Sequence, residues 1–365
     1  MVEHSTTFAG AYLPLHFQLK LIWERLMGRP VRDVTWNFFE CGGTPELAET
    51  MLKEASAETG QQITTAAFLK NPTIAGLADA VLSAADRDEL SEVQRGNGEA
   101  PFFFLHGDIL GGGFYTRGLA EDIGSECPFF SVPMPPVTRE SSSTIEEAAA
   151  RYCAAIRERK ARGPYVLGGF SLAALFAYEV ARQLSPEGEE VEALVLIDPD
   201  LPTAFERLCL RAIDSRKKAE SFGAKVDSFT TVYCKLAQLS YVWQSPLREK
   251  ARFVWRNTTK LFRRRNGNAT SATEPASVEE IDDDWRVDIF QWLATAYSLK
   301  PYAGSVTLML TDAQMKARPT LVRRWRRAVS QLRVQRLPGS HMTAITTHRA
   351  ALAEKIREEL RMAHP

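Results

Sequence analysis

The stretch Gly163 to Leu184, GPYVLGGFSLAALFAYEVARQL, constrains the fold of this chain more than any other. Tyr165 to Leu167 is a short apolar run flanked by glycines, too brief for a helix, and it reads as a buried strand. Leu175, Tyr178, Val180, Ala181 and Leu184 recur near helical spacing and predict a helix. Between them stands Gly169-Phe170-Ser171-Leu172-Ala173. A serine between strand and helix, with a small residue two positions to either side, is the pattern of a nucleophile elbow. The turn is so sharp that larger side chains at 169 and 173 would meet neighbouring backbone. The usual last glycine is alanine here, which keeps the small volume. Such a turn lifts the Ser171 hydroxyl above the sheet edge, at the positive end of the following helix.

A strand–turn–helix unit needs a sheet around it, and the rest of the chain supplies the pieces. From Phe102 onward, strand and helix patterns alternate. The strands expected are Phe102 to Leu105, Cys127 to Val132, Tyr165 to Leu167, Val191 to Ile197, 306–310 and 332–337. The helices expected include Thr144 to Lys160 and a last one from about Thr343 to Arg361. That alternation predicts a mostly parallel, doubly wound sheet covered by helices on both faces. About a hundred residues between Asp198 and Ser305 do not alternate. Helical patterns over Ala204–Ala219, Val226–Gln244, Leu247–Phe262 and Trp285 to Leu299 predict an inserted helical lid at about 203–300. Its basic run from Arg248 to Arg265 reads as a solvated helix face rather than a polyanion site.

The first 85 residues have another character. Pro14 to Met27 is amphipathic, and Thr44 caps a helix with Pro45 at its first position and Glu46 in its first turn. Asn71-Pro72-Thr73 opens a further helix, Ile74 to Ala84. A small helical bundle over 1–85, a polar linker over 86–100 and a sheet domain over 101–365 are the expected organisation. Formal charge is zero across 365 residues, so no overall electrostatic case exists for nucleic acid. Five cysteines without metal spacing suit reduced thiols and predict no metal site. No apolar run approaches membrane length and no leader pattern opens the chain, so a cytoplasmic protein with no membrane partner is expected.

Serine needs a base to remove its proton, and the base needs an orienting acid. In the chain order Ser, acid, His, only His341 has both order and position, in LPGSHM directly after the last strand. Two acids end strands downstream of the elbow: Asp198 in LVLIDPD and Asp312 in TLMLTDAQ. The residues alone leave both open. The Leu172 N–H, directly after the serine, is placed to hold an oxyanion.

Two resemblances sharpen these expectations. WERLMG, WNFFECGG and FLKNPTIAGLADAVL look like the carrier-protein domain of nonribosomal peptide synthetases. FFFLHGDILGGGFY, YVLGGFSLAALFAYEVARQL, LVLIDPD, PYAGSVTLML and LPGSHMTAI resemble the thioesterase domain that releases products from nonribosomal peptide and polyketide synthases. The second resemblance implies an α/β-hydrolase fold and a Ser171–Asp198–His341 triad, because in terminal thioesterases the acid follows the strand after the elbow helix. In the stand-alone editing type it would map near Asp312. It also implies an oxyanion hole from Leu172 and Asp108, with Ile109 as the alternative to Asp108. The implied reaction is release of acyl or peptidyl chains from phosphopantetheine thioesters, in natural-product biosynthesis, through an acyl-serine. An acyltransferase or cyclase with the same triad, or a non-catalytic docking protein, are the alternatives.

The carrier resemblance carries a departure. The family's GG[DH]S attachment stretch matches Gly42-Gly43-Thr44-Pro45, so proline stands where the phosphopantetheine serine belongs. The expectation is a degenerate carrier with no covalently bound cofactor, phosphopantetheine arriving only on the substrate. The partner would be a carrier domain of another chain, or acyl-coenzyme A. The bundle's nine acids against six bases suggest weak docking on lid basic residues or on Arg323, Arg324, Arg326 and Arg327.

Overall fold

A computed structural model of the chain describes residues 14–83, 90–97, 100–109, 113–135, 137, 144–185, 188–217, 221–232 and 283–363. The described elements run, in chain order, α1 Pro14–Met27, α2 Pro45–Thr59, α3 Thr65–Lys70, α4 Ile74–Ser83, β1 Ser91–Gln94, β2 Phe102–Leu105, α5 Tyr115–Ile123, β3 Phe129–Val132, α6 Ile145–Arg159, β4 Tyr165–Phe170, α7 Ala173–Leu184, β5 Val191–Ile197 and α8 Ala204–Arg216. After these come α9 Asp283–Ala296, β6 Tyr302–Thr311, α10 Asp312–Ala317, α11 Leu321–Arg326, β7 Val329–Leu337, α12 His341–Ile345 and α13 Arg349–Ala363.

Seven strands form one sheet in the order β1-β3-β2-β4-β5-β6-β7. Every neighbouring pair is parallel except β1 with β3. The central strands β2 and β4 are buried at every residue, as apolar runs must be when helices cover both faces. Phe102 and Phe104 alternate with Phe103 along β2 and so face one side together. On that side they join Tyr115, Leu119, Val166, Val195, Leu352 and Ile356 in one cluster, under α5 and α13. The other face carries α7, which packs on β4, β5 and β2 and against α6. A reciprocal capping box starts α6: Thr144 accepts from the Glu147 N–H while Glu147 accepts from the Thr144 N–H.

Helices α1 to α4 enclose their own core around Trp23, Phe38 and Phe68. The Trp23 and Phe38 rings meet edge to face at 4.7 Å, and Phe38 and Phe68 at 5.7 Å. The bundle and the sheet belong to one compact unit, Tyr12–Pro136, Ser143–Pro202 and Tyr297–Pro365. A second unit contains Thr203–Ala296. Within it, Phe222 and Phe229 each meet the Trp292 ring edge to face, at 6.0 and 5.6 Å.

Several sequence readings need correction. The stretch read as linker contributes β1, an antiparallel edge strand in which Ser91 lies opposite Ser131. The last helix is two: α12 and α13 are separated at 346–348, where the His348 N–H donates to the Thr343 carbonyl at 2.7 Å. Strand β7 begins at Val329 and β6 at Tyr302, both earlier than their apolar runs suggest, because Tyr302 pairs with Val329 and Ser305 with Gln331 through backbone while the exposed Ala303, Ser305, Ser330 and Gln331 break the apolar pattern. The helical patterns at Leu247–Phe262 and the basic run Arg248 to Arg265 lie outside the described residues.

Candidate active site

The elbow is built as its residue sizes require. Ser171 has φ 58°, the left-handed region that L residues enter at a cost of roughly 1–2 kcal/mol. The Ser171 N–H is pinned to the Ile197 carbonyl of β5 at 2.9 Å. A Cβ at Gly169 would lie 2.7 Å from the Ala173 carbonyl oxygen and from the Ala174 Cα, so only glycine lets the helix return this close to the strand.

Three side chains from separate strand ends converge there. His341 Nε2 lies 2.9 Å from Ser171 Oγ, and His341 Nδ1 lies 2.8 Å from Asp198 Oδ2. The only tautomer that serves both contacts carries its proton on Nδ1, donated to the carboxylate, and leaves Nε2 to accept from the serine hydroxyl. Asp198 is 1% exposed, whereas the His341 side chain is 41% exposed. The acid is therefore sealed and the imidazole open to an incoming molecule. Asp198 also sits at a positive φ, 49°.

Thr311 and Phe170 hold this arrangement, and the sequence reading passed over both. The Thr311 N–H donates to Asp198 Oδ1 at 2.9 Å, and its hydroxyl lies 3.0 Å from each carboxylate oxygen. These bonds satisfy the lone pairs of a buried carboxylate and fix its orientation. The one sequence signal was a threonine ending a strand beside the other acid. The Phe170 ring stacks on the imidazole, with centroids 4.5 Å apart and planes inclined by 22°. Asp312 is not part of the cluster. It opens α10 and pairs with Arg336.

The turn after β2 is held from within. His106 is buried, and burial pushes its pKa down to about 3, so the ring is neutral. Its Nδ1 accepts the Asp108 N–H at 3.0 Å, while Asp108 Oδ2 accepts the Gly113 N–H at 3.2 Å. The Tyr115 hydroxyl donates to the His106 carbonyl. The Asp108 N–H, named from the sequence as an oxyanion donor, is thus engaged by a side chain. The Leu172 and Ile109 N–H groups donate to no acceptor among the described residues. Residues 110–112, part of the glycine run, lie outside the description.

The model of the thioesterase domain family matches residues 103–360. The chain belongs to that family. A second model, for the phosphopantetheine attachment site, matches residues 18–81, so this thioesterase carries a carrier-type region before its sheet. The thioesterase is 35% identical over 207 residues to an indigoidine synthase of Dickeya dadantii, covering 55% of this chain and 14% of that protein. It is 29% identical over 198 residues to a dimodular nonribosomal peptide synthase of Bacillus subtilis, covering 53% of this chain and 8% of that one. The chain thus spans a minor part of the synthases it matches. Among solved structures, the NocB thioesterase domain from the nocardicin cluster is 22% identical, with 72% of this chain and 95% of that one covered and a TM-score of 0.45.

At the position matching the carrier serine, Pro45 opens α2 without a hydroxyl. The neighbouring Thr44 is the N-cap. Its Oγ1 accepts the Leu47 N–H at 3.3 Å, and its hydroxyl hydrogen-bonds the Glu46 carboxylate, holding that acid below its usual range. Among the described residues, no group of three histidines, cysteines or acids is arranged to hold a metal ion, and no helix is long and apolar enough to cross a membrane.

Proposed function

We propose that this thioesterase cleaves acyl or peptidyl thioesters through a Ser171–His341–Asp198 triad. The observation that carries the proposal is the continuous relay from a sealed carboxylate, through one imidazole tautomer, to a partly buried serine on a strained turn. Ser171 Oγ attacks the thioester carbonyl carbon as its proton passes to His341 Nε2. The carbonyl electron pair collects on oxygen, where backbone N–H groups stabilise it. Collapse breaks the carbon–sulfur bond, and the departing sulfur takes the proton from Nε2. An acyl ester of Ser171 remains, and water hydrolyses it by the same steps with His341 again as base. Asp198 holds the imidazole in its tautomer and stabilises the imidazolium.

For the oxyanion, Leu172 supplies one N–H and the turn after β2 the other. Ile109 is the better-disposed second donor in this conformation, because Asp108 already donates to His106. Asp108 can serve only by sharing that bond or releasing it.

The substrate class we assign is a chain carried on phosphopantetheine, either on a carrier domain of another polypeptide or as acyl-coenzyme A. The matched synthases and the carrier-type region support this class. The residues at 44–45 do not fit an arm attached to this chain: Pro45 offers no oxygen, and the Thr44 hydroxyl is committed at the helix cap. We therefore read the carrier-type region as lacking a covalent cofactor. Labelling with a fluorophosphonate, followed by mass mapping, tests the nucleophile. One adduct is expected, on Ser171, and none in Ser171→Ala. An adduct elsewhere, or release of thiol from an acyl thioester by Ser171→Ala at the wild-type rate, would overturn the assignment.

A further inference from the structure

We infer that the carrier-like bundle is a fixed cap on the sheet domain, locked by Arg349 and Phe114, and that it positions the oxyanion turn and the His341 helix. In the absence of an attachment hydroxyl, the bundle's contacts are its remaining contribution, and they have the form of a permanent joint. Arg349 opens α13, separated by three residues, 346–348, from the helix that His341 begins. Its Nε donates to Asp122 Oδ2 of α5 at 2.8 Å, and its Nη1 donates to Glu58 Oε1 of α2 at 2.6 Å. One guanidinium thus ties the bundle to the sheet domain through two charge-assisted bonds, with its side chain 21% exposed. Glu58 is held in turn by Gln18 of α1, whose Nε2 donates at 3.2 Å.

The sequence makes room for this joint. Gly118 stands inside α5, where glycine is a poor helix former. A Cβ there would lie 2.1 Å from Arg349 Nη1. The glycine is the gap through which the guanidinium reaches the bundle, which explains an otherwise unfavourable choice.

The second lock is apolar. Phe114 follows the glycine run of the sheet domain, yet its ring is buried in the bundle's hydrophobic cluster with Trp23, Phe38 and Phe68. Its neighbours on either side belong to the oxyanion turn. The Gly113 N–H is held by Asp108, and the Tyr115 hydroxyl by the His106 carbonyl. Helix α1 packs against α12, which His341 opens, and α1 and α2 both pack against α5. The bundle therefore bears on both loops that the proposed chemistry uses. A carrier that delivers and withdraws would have to break these contacts on every cycle. Arg349 and Phe114 are positioning residues, since neither touches the reacting atoms. The sequence expectation set the bundle's acids against lid basic residues or against Arg323, Arg324, Arg326 and Arg327; in the structure Arg324 donates to the carbonyls of Leu201 and Pro202, and the bundle's Glu58 pairs with Arg349.

The test uses the full chain. Arg349→Met, Phe114→Ala and the milder Glu58→Gln are compared with wild type by hydrogen exchange over Pro14–Met27 and Pro45–Thr59. Turnover of a small soluble acyl thioester is measured on the same samples. Arg349→Met should raise exchange in both helices at least tenfold and lower kcat about tenfold, with KM changed less than threefold. Glu58→Gln should fall between, and Arg349→Lys should partly restore both. Unchanged exchange in Arg349→Met and Phe114→Ala would overturn the lock. Released helices with unchanged kcat would overturn the positioning role. The kinetic arm rests on the proposed thioesterase activity. The exchange arm does not, so a wild type without activity would sink that activity and leave the lock standing on its own measurement.

Discussion

Acid should weaken this fold through His106, and the size of the effect follows from its surroundings. The ring is buried and its Nδ1 accepts the Asp108 N–H, so a second proton would place a charge in a dry site and set one donor against another. Its folded pKa is about 3 against an ordinary 6.5. The unfolded chain therefore binds a proton between these two values that the folded chain refuses. Stability from this group is fully present above pH 6.5 and is lost as pH falls toward 3. The slope is about 1.36 kcal/mol per pH unit. Between pH 6.5 and 4.5 the loss is on the order of 2 kcal/mol, a large share of a typical 5–15 kcal/mol stability. Urea unfolding of wild type and His106→Asn at pH 7 and pH 4.5 isolates the effect, because carboxylates common to both cancel. Asn presents an oxygen near the place of Nδ1 but does not titrate. The stability of wild type relative to the variant should fall by on the order of 2 kcal/mol on going to pH 4.5. A gap independent of pH would show that His106 titrates alike in both states and would refute the reasoning.

Other expectations follow from the same geometry. Ser171→Ala and His341→Ala should each lower thioester cleavage by several orders of magnitude without changing the melting temperature by more than a few degrees, measured by thiol release and calorimetry. Asp198→Asn should lower kcat at least a hundredfold and Asp312→Asn less than threefold, since Asp312 pairs with Arg336 instead of the imidazole; a reversed ranking in steady-state kinetics would reject the acid assigned here. Thr311→Val removes a hydroxyl donor from a buried carboxylate and should destabilise by about 1–3 kcal/mol in urea unfolding, with a visible loss of kcat. Incubation with coenzyme A and a phosphopantetheinyl transferase should add no mass to the chain, because Pro45 and the engaged Thr44 offer no acceptor.

Legibility from sequence varied with how local the cause was. The elbow could be read because its steric demand falls on residues a few positions apart. His341 could be read because chain order leaves one histidine directly after a last strand. The choice between Asp198 and Asp312 needed a family resemblance, since both end strands and their carboxylates are chemically alike. What separates them is nonlocal: Thr311 lies 113 positions from Asp198 and Arg336 lies 24 from Asp312. Strand β1 was invisible because Ser91-Glu92-Val93-Gln94 has one apolar side chain, and its pairing with β3 is made by backbone. The Arg349 joint was equally hidden, because no sequence pattern announces that a glycine in one helix clears a path for an arginine far along the chain.

Strand β1 has a consequence for the bundle beyond completing the sheet. Helix α4 ends at Ser83 and β1 begins at Ser91, so the bundle is leashed to the sheet edge by eight residue steps, at most about 28 Å of chain. A leash that short keeps the bundle near α5 and α12 at an effective concentration on the order of millimolar, even in a molecule whose Arg349 bonds have opened. Re-docking then outpaces any competitor present at cellular micromolar levels. The face the bundle covers is in practice reserved for it, and under the proposed function a carrier arriving from another chain would approach Ser171 by a different route.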